Sequence, residues 1–145
     1  MTPLIINYKP SIEELSDFLK LTDFSGNIPL EEYAHKVLEK ASFLAITMDN
    51  HIMGLSIFYE NREQKDFAYL TYIALSQEIR GNGYGNKLMN RTIETVFNHG
   101  FKAFRLEVKL NNMVALGMYK SFGFKTMETD SNSISIHMEL LSDNF

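Results

Sequence analysis

The residues best suited to chemistry in this chain lie in one short run, Arg80-Gly81-Asn82-Gly83-Tyr84-Gly85. Glycine accepts positive φ and carries no Cβ, so successive backbone N–H groups in such a run can converge on one anion. A helix starting directly behind it adds unpaired first-turn N–H groups and the positive end of its dipole. A pyrophosphate is the ligand this chemistry suits. The run is not a P-loop, because no Gly-Lys-Ser/Thr follows it. Nor is it a dinucleotide fingerprint: the spacing is G-x-G-x-G, and the strands ahead of it read as antiparallel rather than as a βαβ unit. Stripped of function, the same residues would serve as a plain strand-to-helix turn.

Other reactive side chains are sparse. The chain has no cysteine, which removes disulfides, thiolate metal sites and a thiol nucleophile, and fits a reducing compartment. Four histidines are scattered: His35 on a helix, His51 in a hairpin turn, His99 near a helix C-terminus and His137 on the last strand. They show no metal-ligand pairing, so no metal is expected. Glu60, Glu63 and Asp66 fall in a polar loop and read as solvated carboxylates.

The elements that must hold these residues follow from periodicity and punctuation. Leu4–Tyr8 reads as a first strand. Ser11 with Glu14 forms a capping-box pattern for a helix to about Thr22, and Asp23–Pro29 is a loop. A second helix covers Leu30–Lys40. Ser42–Met48 and Ile52–Tyr59 read as a hairpin joined by Asp49-Asn50-His51, and Phe67–Leu75 as a third strand of that block. Behind the glycine run, Leu88, Met89, Ile93, Val96 and Phe97 mark a helix stopped at His99-Gly100. Phe101–Lys109 alternates Phe104, Leu106 and Val108 against Arg105, Glu107 and Lys109. A short helix from Asn112 to Phe122 ends at Gly123. Lys125–Asp130 and Ser133–Leu140 close the chain as strands, with Ile134, Ile136, Met138 and Leu140 on one face.

The bulk numbers set the class. With 145 residues, 45% hydrophobic and 22% charged, the chain has globular composition and enough length for a core. It shows no repeat, low-complexity tract or linker, so one domain over residues 1–145 is expected. Net charge is −4 without a Lys/Arg cluster, so nucleic acid is not an expected partner. No window approaches the ~20 apolar residues of a membrane helix, and the N-terminus lacks signal-peptide character. A cytoplasmic protein away from membranes is the expectation.

In two places the sequence resembles the GNAT acyltransferase superfamily. Arg80–Gly85 matches the acyl-CoA signature Q/R-x-x-G-x-G/A in its usual setting between strand and helix. Asn112-Met113-Val114-Ala115-Leu116-Gly117-Met118-Tyr119-Lys120-Ser121-Phe122-Gly123-Phe124 matches N-x-x-A-x-x-x-Y-x-x-x-G-F at every fixed position. Leu106-Glu107-Val108 looks like the strand that precedes that Asn. The resemblance is specific over 67–124 and architectural before Ser42, where the superfamily chooses its substrates; His35 lies there. It implies an α+β fold with a mixed, mostly antiparallel central sheet of about six or seven strands and about four helices.

The resemblance also implies roles. Ile73, Ala74 and Leu75 would offer backbone groups to the pantetheine arm of acetyl-CoA. Backbone N–H groups across Arg80, Gly81, Asn82, Gly83, Tyr84 and Gly85, with Asn86 beside them, would bind its pyrophosphate. Asn112 would hydrogen-bond the pantetheine, and Tyr119 would face the sulfur. Acetyl transfer needs a neutral amine, a polarised thioester and a protonated leaving thiolate. Without cysteine, direct attack is simplest, with a backbone N–H near Leu75 at the oxyanion. Tyr119 is the candidate acid, since a phenol near 10 stays protonated at neutral pH, or it mainly hydrogen-bonds the sulfur; as a structural residue it would be a core tyrosine on an apolar helix. The base is Glu107, acting directly or through water, or a water chain with no dedicated base; as a structural residue Glu107 would instead pair with Arg105 or Lys109. The third strand lacks the glutamate some relatives carry there. Phe24, Tyr33, Phe58, Tyr59, Tyr69 and Tyr72 belong either to an acceptor pocket or to the core.

The leading expectation is an N-acetyltransferase for a small-molecule amine such as an amino sugar, amino acid or polyamine. Its alternatives are protein N-terminal acetylation, a non-catalytic acyl-CoA-binding regulator, and a toxin-like enzyme acting on aminoacyl-tRNA. Terminal strands able to pair between chains make a homodimer an expectation.

Overall fold

The computed structural model describes residues 3–127 and 134–145. In chain order the elements are β1 (Leu4–Asn7), α1 (Ile12–Leu21), α2 (Leu30–Lys40), β2 (Ser42–Met48), β3 (His51–Tyr59), β4 (Ala68–Leu75), α3 (Tyr84–Asn98), β5 (Ala103–Lys109), α4 (Met113–Ser121), β6 (Lys125–Thr126) and β7 (Ser135–Leu141). Single 3-10 turns occupy Gln77–Ile79 and Ser142–Asn144. Among the described residues the strands form a seven-stranded sheet of order β1-β2-β3-β4-β5-β7-β6. β1/β2, β2/β3, β5/β7 and β6/β7 pair antiparallel, whereas β4/β5 is parallel. The expected α+β class, mostly antiparallel sheet and four helices are therefore present. The chain divides into two compact units, residues 1–59 with 72–92 and residues 60–71 with 93–145.

In the first unit, α1 begins as its sequence requires. Glu14 N–H donates to Ser11 Oγ at 3.1 Å, and Ser11 N–H donates back to Glu14 Oε1 at 3.0 Å. The Tyr8 hydroxyl donates to the same carboxylate at 2.7 Å, tying the end of β1 to the helix. These donors hold the Glu14 carboxyl below its ordinary value, the Ser11 backbone bond first. That contribution is present above the usual carboxylate range and is lost as pH falls through the lowered value. Ser11→Ala removes one half of the box and is expected to cost about 1 kcal/mol in urea unfolding at neutral pH. Leu15, Phe18 and Leu19 of α1 and Tyr33 and Val37 of α2 recur at helical spacing and are buried with Leu55 and Ile57 of β3. The β2–β3 turn is tighter than expected: Met48 pairs with His51, and only Asp49 and Asn50 intervene, at φ 53° and 65°. Two consecutive left-handed residues make the two-residue hairpin turn whose twist matches the strands, so His51 opens β3 rather than sitting in the loop.

In the second unit, Phe104, Leu106 and Val108 point inward from β5 and meet the buried Met138 and Leu140 of β7. The Phe124 ring closes this core, 6.1 Å from Phe104. β5 starts two residues later than expected, because Lys102 N–H is drawn to Lys65 O at 3.1 Å. β6 spans only Lys125–Thr126, and the remainder of the expected strand, residues 128–130, lies outside the described residues, as does Ser133. Ile134 precedes β7 and is 79% exposed, so it does not share the buried face of Met138 and Leu140.

One expectation is reversed here. Glu60 is not a solvated loop carboxylate: its side chain is 2% exposed and lies 2.6 Å from His99 Nδ1, with Arg62 beside it at 3.8 Å. His99, just past the end of α3, supplies a hydrogen-bond partner that lets the carboxylate leave water.

Candidate active site

The glycine run is held in shape by the residues before it. The Gln77–Ile79 turn, which carries no strong sequence signal, brings Arg80 N–H to Gln77 O at 3.3 Å. Arg80 Nε then donates to Leu75 O at 3.1 Å, so the guanidinium staples the run to the end of β4. Arg80 N–H is thereby engaged within the chain, and the N–H groups open to an anion begin at Gly81. Gly81 and Gly83 adopt φ 81° and 83°, the left-handed region an L side chain enters only with strain. A Cβ at either position would meet nothing within 4 Å, so backbone conformation, not crowding, calls for glycine there. Asn82 Nδ2 donates to Arg80 O at 3.2 Å and braces the turn between them. The helical ladder of α3 opens with Lys87 N–H to Gly83 O at 3.2 Å. The N–H groups of Tyr84, Gly85 and Asn86 therefore have no acceptor inside the helix. Such a row of donors at a helix start has the chemistry to receive an anion.

Ile73, Ala74 and Leu75 form the half-buried end of β4. The recorded β4–β5 register runs only from Ala68↔Phe104 to Leu70↔Leu106, so these three residues extend past it. Of their backbone groups, the Leu75 carbonyl already accepts from Arg80. Next to them, Tyr72 belongs to the core of the first unit. Its hydroxyl lies 2.6 Å from Thr22 Oγ1, and its ring is 5.7 Å from Phe24, which in turn lies 4.5 Å from Tyr33. Burial pushes the Tyr72 phenol up. His35 is exposed on α2 and borders two open grooves of about 760 and 420 Å3. Neither groove touches the glycine run.

The second unit carries Asn112, Tyr119 and Glu107. Asn112 is the N-cap of α4, its Oδ1 accepting from Ala115 N–H at 3.2 Å. The cap uses the side-chain oxygen, which leaves the amide NH2 as the group able to reach a ligand. Tyr119 is 6% exposed, and Phe124 meets its ring edge-on with centroids 5.8 Å apart. Burial pushes its phenol up to about 12. Its hydroxyl makes no hydrogen bond to the described residues, yet among those residues no buried side-chain oxygen is left unsatisfied, so the hydroxyl reaches the surface.

Glu107 is exposed on the outward face of β5, with Ser135 Oγ donating to its Oε2 at 2.6 Å. It does not pair with Arg105: that guanidinium binds Glu139 at 2.7 Å and stacks over Phe67 at 4.0 Å. Ser135, which the sequence did not single out, and His137, which it set aside as a lone histidine of the last strand, are neighbours of Glu107 on the same face of β7. The period-2 pattern gives their face, but the register across to β5 needs the folded sheet. Among the described residues no cluster of His, Asp or Glu is arranged to hold a metal ion, and no helix is long and apolar enough to cross a membrane.

Known proteins match both the chain and the fold. Residues 12–124 match the Acetyltransferase (GNAT) family. A Bacillus subtilis protein named as a ribosomal protein bS18-alanine N-acetyltransferase is 28% identical over 109 residues, 74% of this chain and 70% of that one. The ribosomal-protein-S18-alanine N-acetyltransferase of Escherichia coli superposes with a TM-score of 0.80 at 18% identity, covering 97% of this chain and 94% of that one. A GNAT acetyltransferase of Elizabethkingia anophelis, solved with acetyl-CoA bound, gives 0.74 at 18% identity over 96% and 97%. Family match, sheet and glycine run agree: the chain is an acyltransferase and belongs to the GNAT acetyltransferase family.

Proposed function

We propose that this enzyme moves the acetyl group of acetyl-CoA to a primary amine by direct attack, and that its acceptor is the N-terminal α-amine of a polypeptide. The observation that carries the cofactor half is the row of open N–H groups from Gly81 to Asn86, set by two left-handed glycines at the head of α3. These donors would take the pyrophosphate. Ile73, Ala74 and Leu75 would lie along the pantetheine arm, and the Asn112 amide would donate to it. Tyr119 would hydrogen-bond the sulfur and protonate the leaving thiolate, while Glu107 would accept the amine proton. The enzyme would work in the cytoplasm, where acetyl-CoA is made and used.

The acceptor half rests on chemistry as well as on the two alanine-directed relatives. An α-amine with a pKa of about 7.7–8.0 is partly neutral at physiological pH, whereas an alkyl amine near 10.4 is almost wholly protonated. A single solvent-facing carboxylate has the lighter task with the former. The small-molecule amine remains the competing acceptor, since a net charge of −4 also suits a small cation.

Calorimetric titration with acetyl-CoA, with free CoA as control, tests the cofactor. A panel of peptides with free or blocked N-termini, set beside amino sugars and polyamines, tests the acceptor. Turnover confined to free N-termini supports the α-amine, and turnover confined to the small amines replaces it. Glu107→Gln is expected to lower kcat/KM about 10- to 100-fold and to shift the pH–rate profile, with acetyl-CoA affinity unchanged. A flat comparison would return Glu107 to a structural role.

A further inference from the structure

The outward face of the β5–β7 pair holds a proton acceptor that the proposed reaction does not yet use. Glu107 stands directly opposite His137 in the antiparallel register. Opposed residues on one face have Cβ atoms roughly 5 Å apart; the two side chains make no direct hydrogen bond or ion pair, and one water would bridge the span between carboxylate and imidazole. The hydrogen bond from Ser135 to Glu107 Oε2 shows that the carboxylate leans toward β7, the His137 strand, and fixes one oxygen; Oε1 takes no hydrogen bond from the described residues.

Among the described residues, the charged groups around this pair are few. On β5, Arg105 is engaged by Glu139 of β7, and Lys109 stands opposite Ser135. On β6, Lys125 pairs with Glu139 in register, and Met127 N–H donates to the His137 carbonyl. From β4 comes Tyr69, the register neighbour of Arg105; burial, and then the Glu107 charge, push its phenol up. Among the described residues on this face, Glu107 and Glu139 are the carboxylates near His137, and Glu139 is held in an ion pair.

We propose that His137 acts through Glu107 as a proton relay for the acceptor amine. This rests on Glu107 being the acceptor-side base. The N–H bond of the acceptor ammonium breaks, its proton passes to the Glu107 carboxylate, and the freed nitrogen lone pair attacks the thioester carbonyl. Glu107 hands the proton to the unprotonated ring nitrogen of His137, and the imidazolium releases it to water. Both groups return to their starting state. The new C–N bond forms as the C–S bond breaks, Tyr119 gives its proton to the leaving thiolate, and the second proton shed by the acylated nitrogen passes through water to restore Tyr119. The advantage is one of matching: an imidazole near 6.5 is about two pH units more basic than a carboxylate near 4.3, and a terminal acceptor nearer the working pH moves protons more efficiently. Ser135 is the positioning residue that keeps the carboxylate turned to β7.

The test joins a titration to a rate profile. In proton NMR, with the His137 imidazole assigned by its loss in His137→Gln, Glu107→Gln should lower its titration midpoint by about half a unit or more. An unmoved midpoint overturns the relay whatever the enzyme's activity. With a free-N-terminal peptide and saturating acetyl-CoA, His137→Gln should lower kcat about 3- to 10-fold near neutrality and move the acid limb down by about one unit. Acetyl-CoA affinity should stay unchanged, and added imidazole should restore part of the rate. Loss of rate without a shifted limb or rescue makes His137 structural and ends the proposal. Turnover with an unmoved midpoint sinks the relay alone. An enzyme that binds acetyl-CoA and acetylates no amine sinks the base assignment and the relay with it.

Discussion

Gly83→Leu is expected to weaken acetyl-CoA binding by at least 100-fold while the protein remains folded. Gly83 sits at φ 83°, and a Cβ there would meet nothing within 4 Å. The substitution therefore brings no clash in the free protein, only backbone strain of roughly 1–2 kcal/mol. Strain of that size shifts the melting temperature of a domain this long by a few degrees. The binding loss comes from two sources. The new side chain projects from the run into the open space where an anion would sit. The chain also relieves its strain by turning Gly83 to negative φ, which swings the N–H groups out of convergence. A charge-assisted hydrogen bond is worth about 1.5–3 kcal/mol, so losing two of them already exceeds 100-fold. Calorimetry with acetyl-CoA, beside circular dichroism and a thermal melt, separates the effects. Native-like affinity in a folded variant would remove the pyrophosphate from this loop.

Tyr119→Phe is expected to lower kcat about 100-fold or more, with acetyl-CoA affinity changed less than about threefold. Losing the hydroxyl breaks no hydrogen bond to a described residue, and the ring contact with Phe124 survives. The fold should be unaffected. The raised phenol value sharpens the proposal. At about 12, Tyr119 lies some 3.5 units above a thiol near 8.5, a gap of about 5 kcal/mol. Free proton donation is thus uphill, and Tyr119 must act as the thiolate develops, or hydrogen-bond it through the transition state. Tyr119 stays protonated over the whole working range, so a basic limb below about pH 10 cannot be its titration. The stability consequence has a fixed sign. A folded value above the unfolded one favours the fold at all pH below about 10, and that contribution is lost as pH rises toward 12. Tyr119→Phe should remove that part of the alkaline destabilisation. Unchanged kcat would end the acid role.

Much of this was legible in the sequence because the deciding signals are local. Ser11 and Glu14 lie within one helical turn, and Phe104, Leu106 and Val108 alternate without a break. The two glycines at 81 and 83 are needed by their own φ angles, and the run stands out for that reason. What stayed hidden is relational. Burial of Glu60 requires His99, which lies 39 residues away. Asn112 opens the short helix in the sequence and is also a ligand candidate, but only the folded turn shows that its oxygen is the atom spent on the cap. Arg80 looked like one more anion donor, but its N–H and guanidinium both serve the chain. The Glu107–His137 pairing depends on strand register across β5 and β7, which no count along either strand supplies.

The stapled glycine run has a consequence for control. Its open N–H groups would meet the phosphate end of the cofactor, and that end is the same whether or not an acetyl group is attached at the other. A grip of this kind favours acetylated and spent coenzyme alike, a uniform binding that tightens both without favouring the reaction. The product left behind would then compete with the next substrate molecule for the same amides. Flux through the enzyme would follow the ratio of charged to uncharged coenzyme rather than the amount of either, coupling acetylation to the metabolic state of the cell without any second regulatory site.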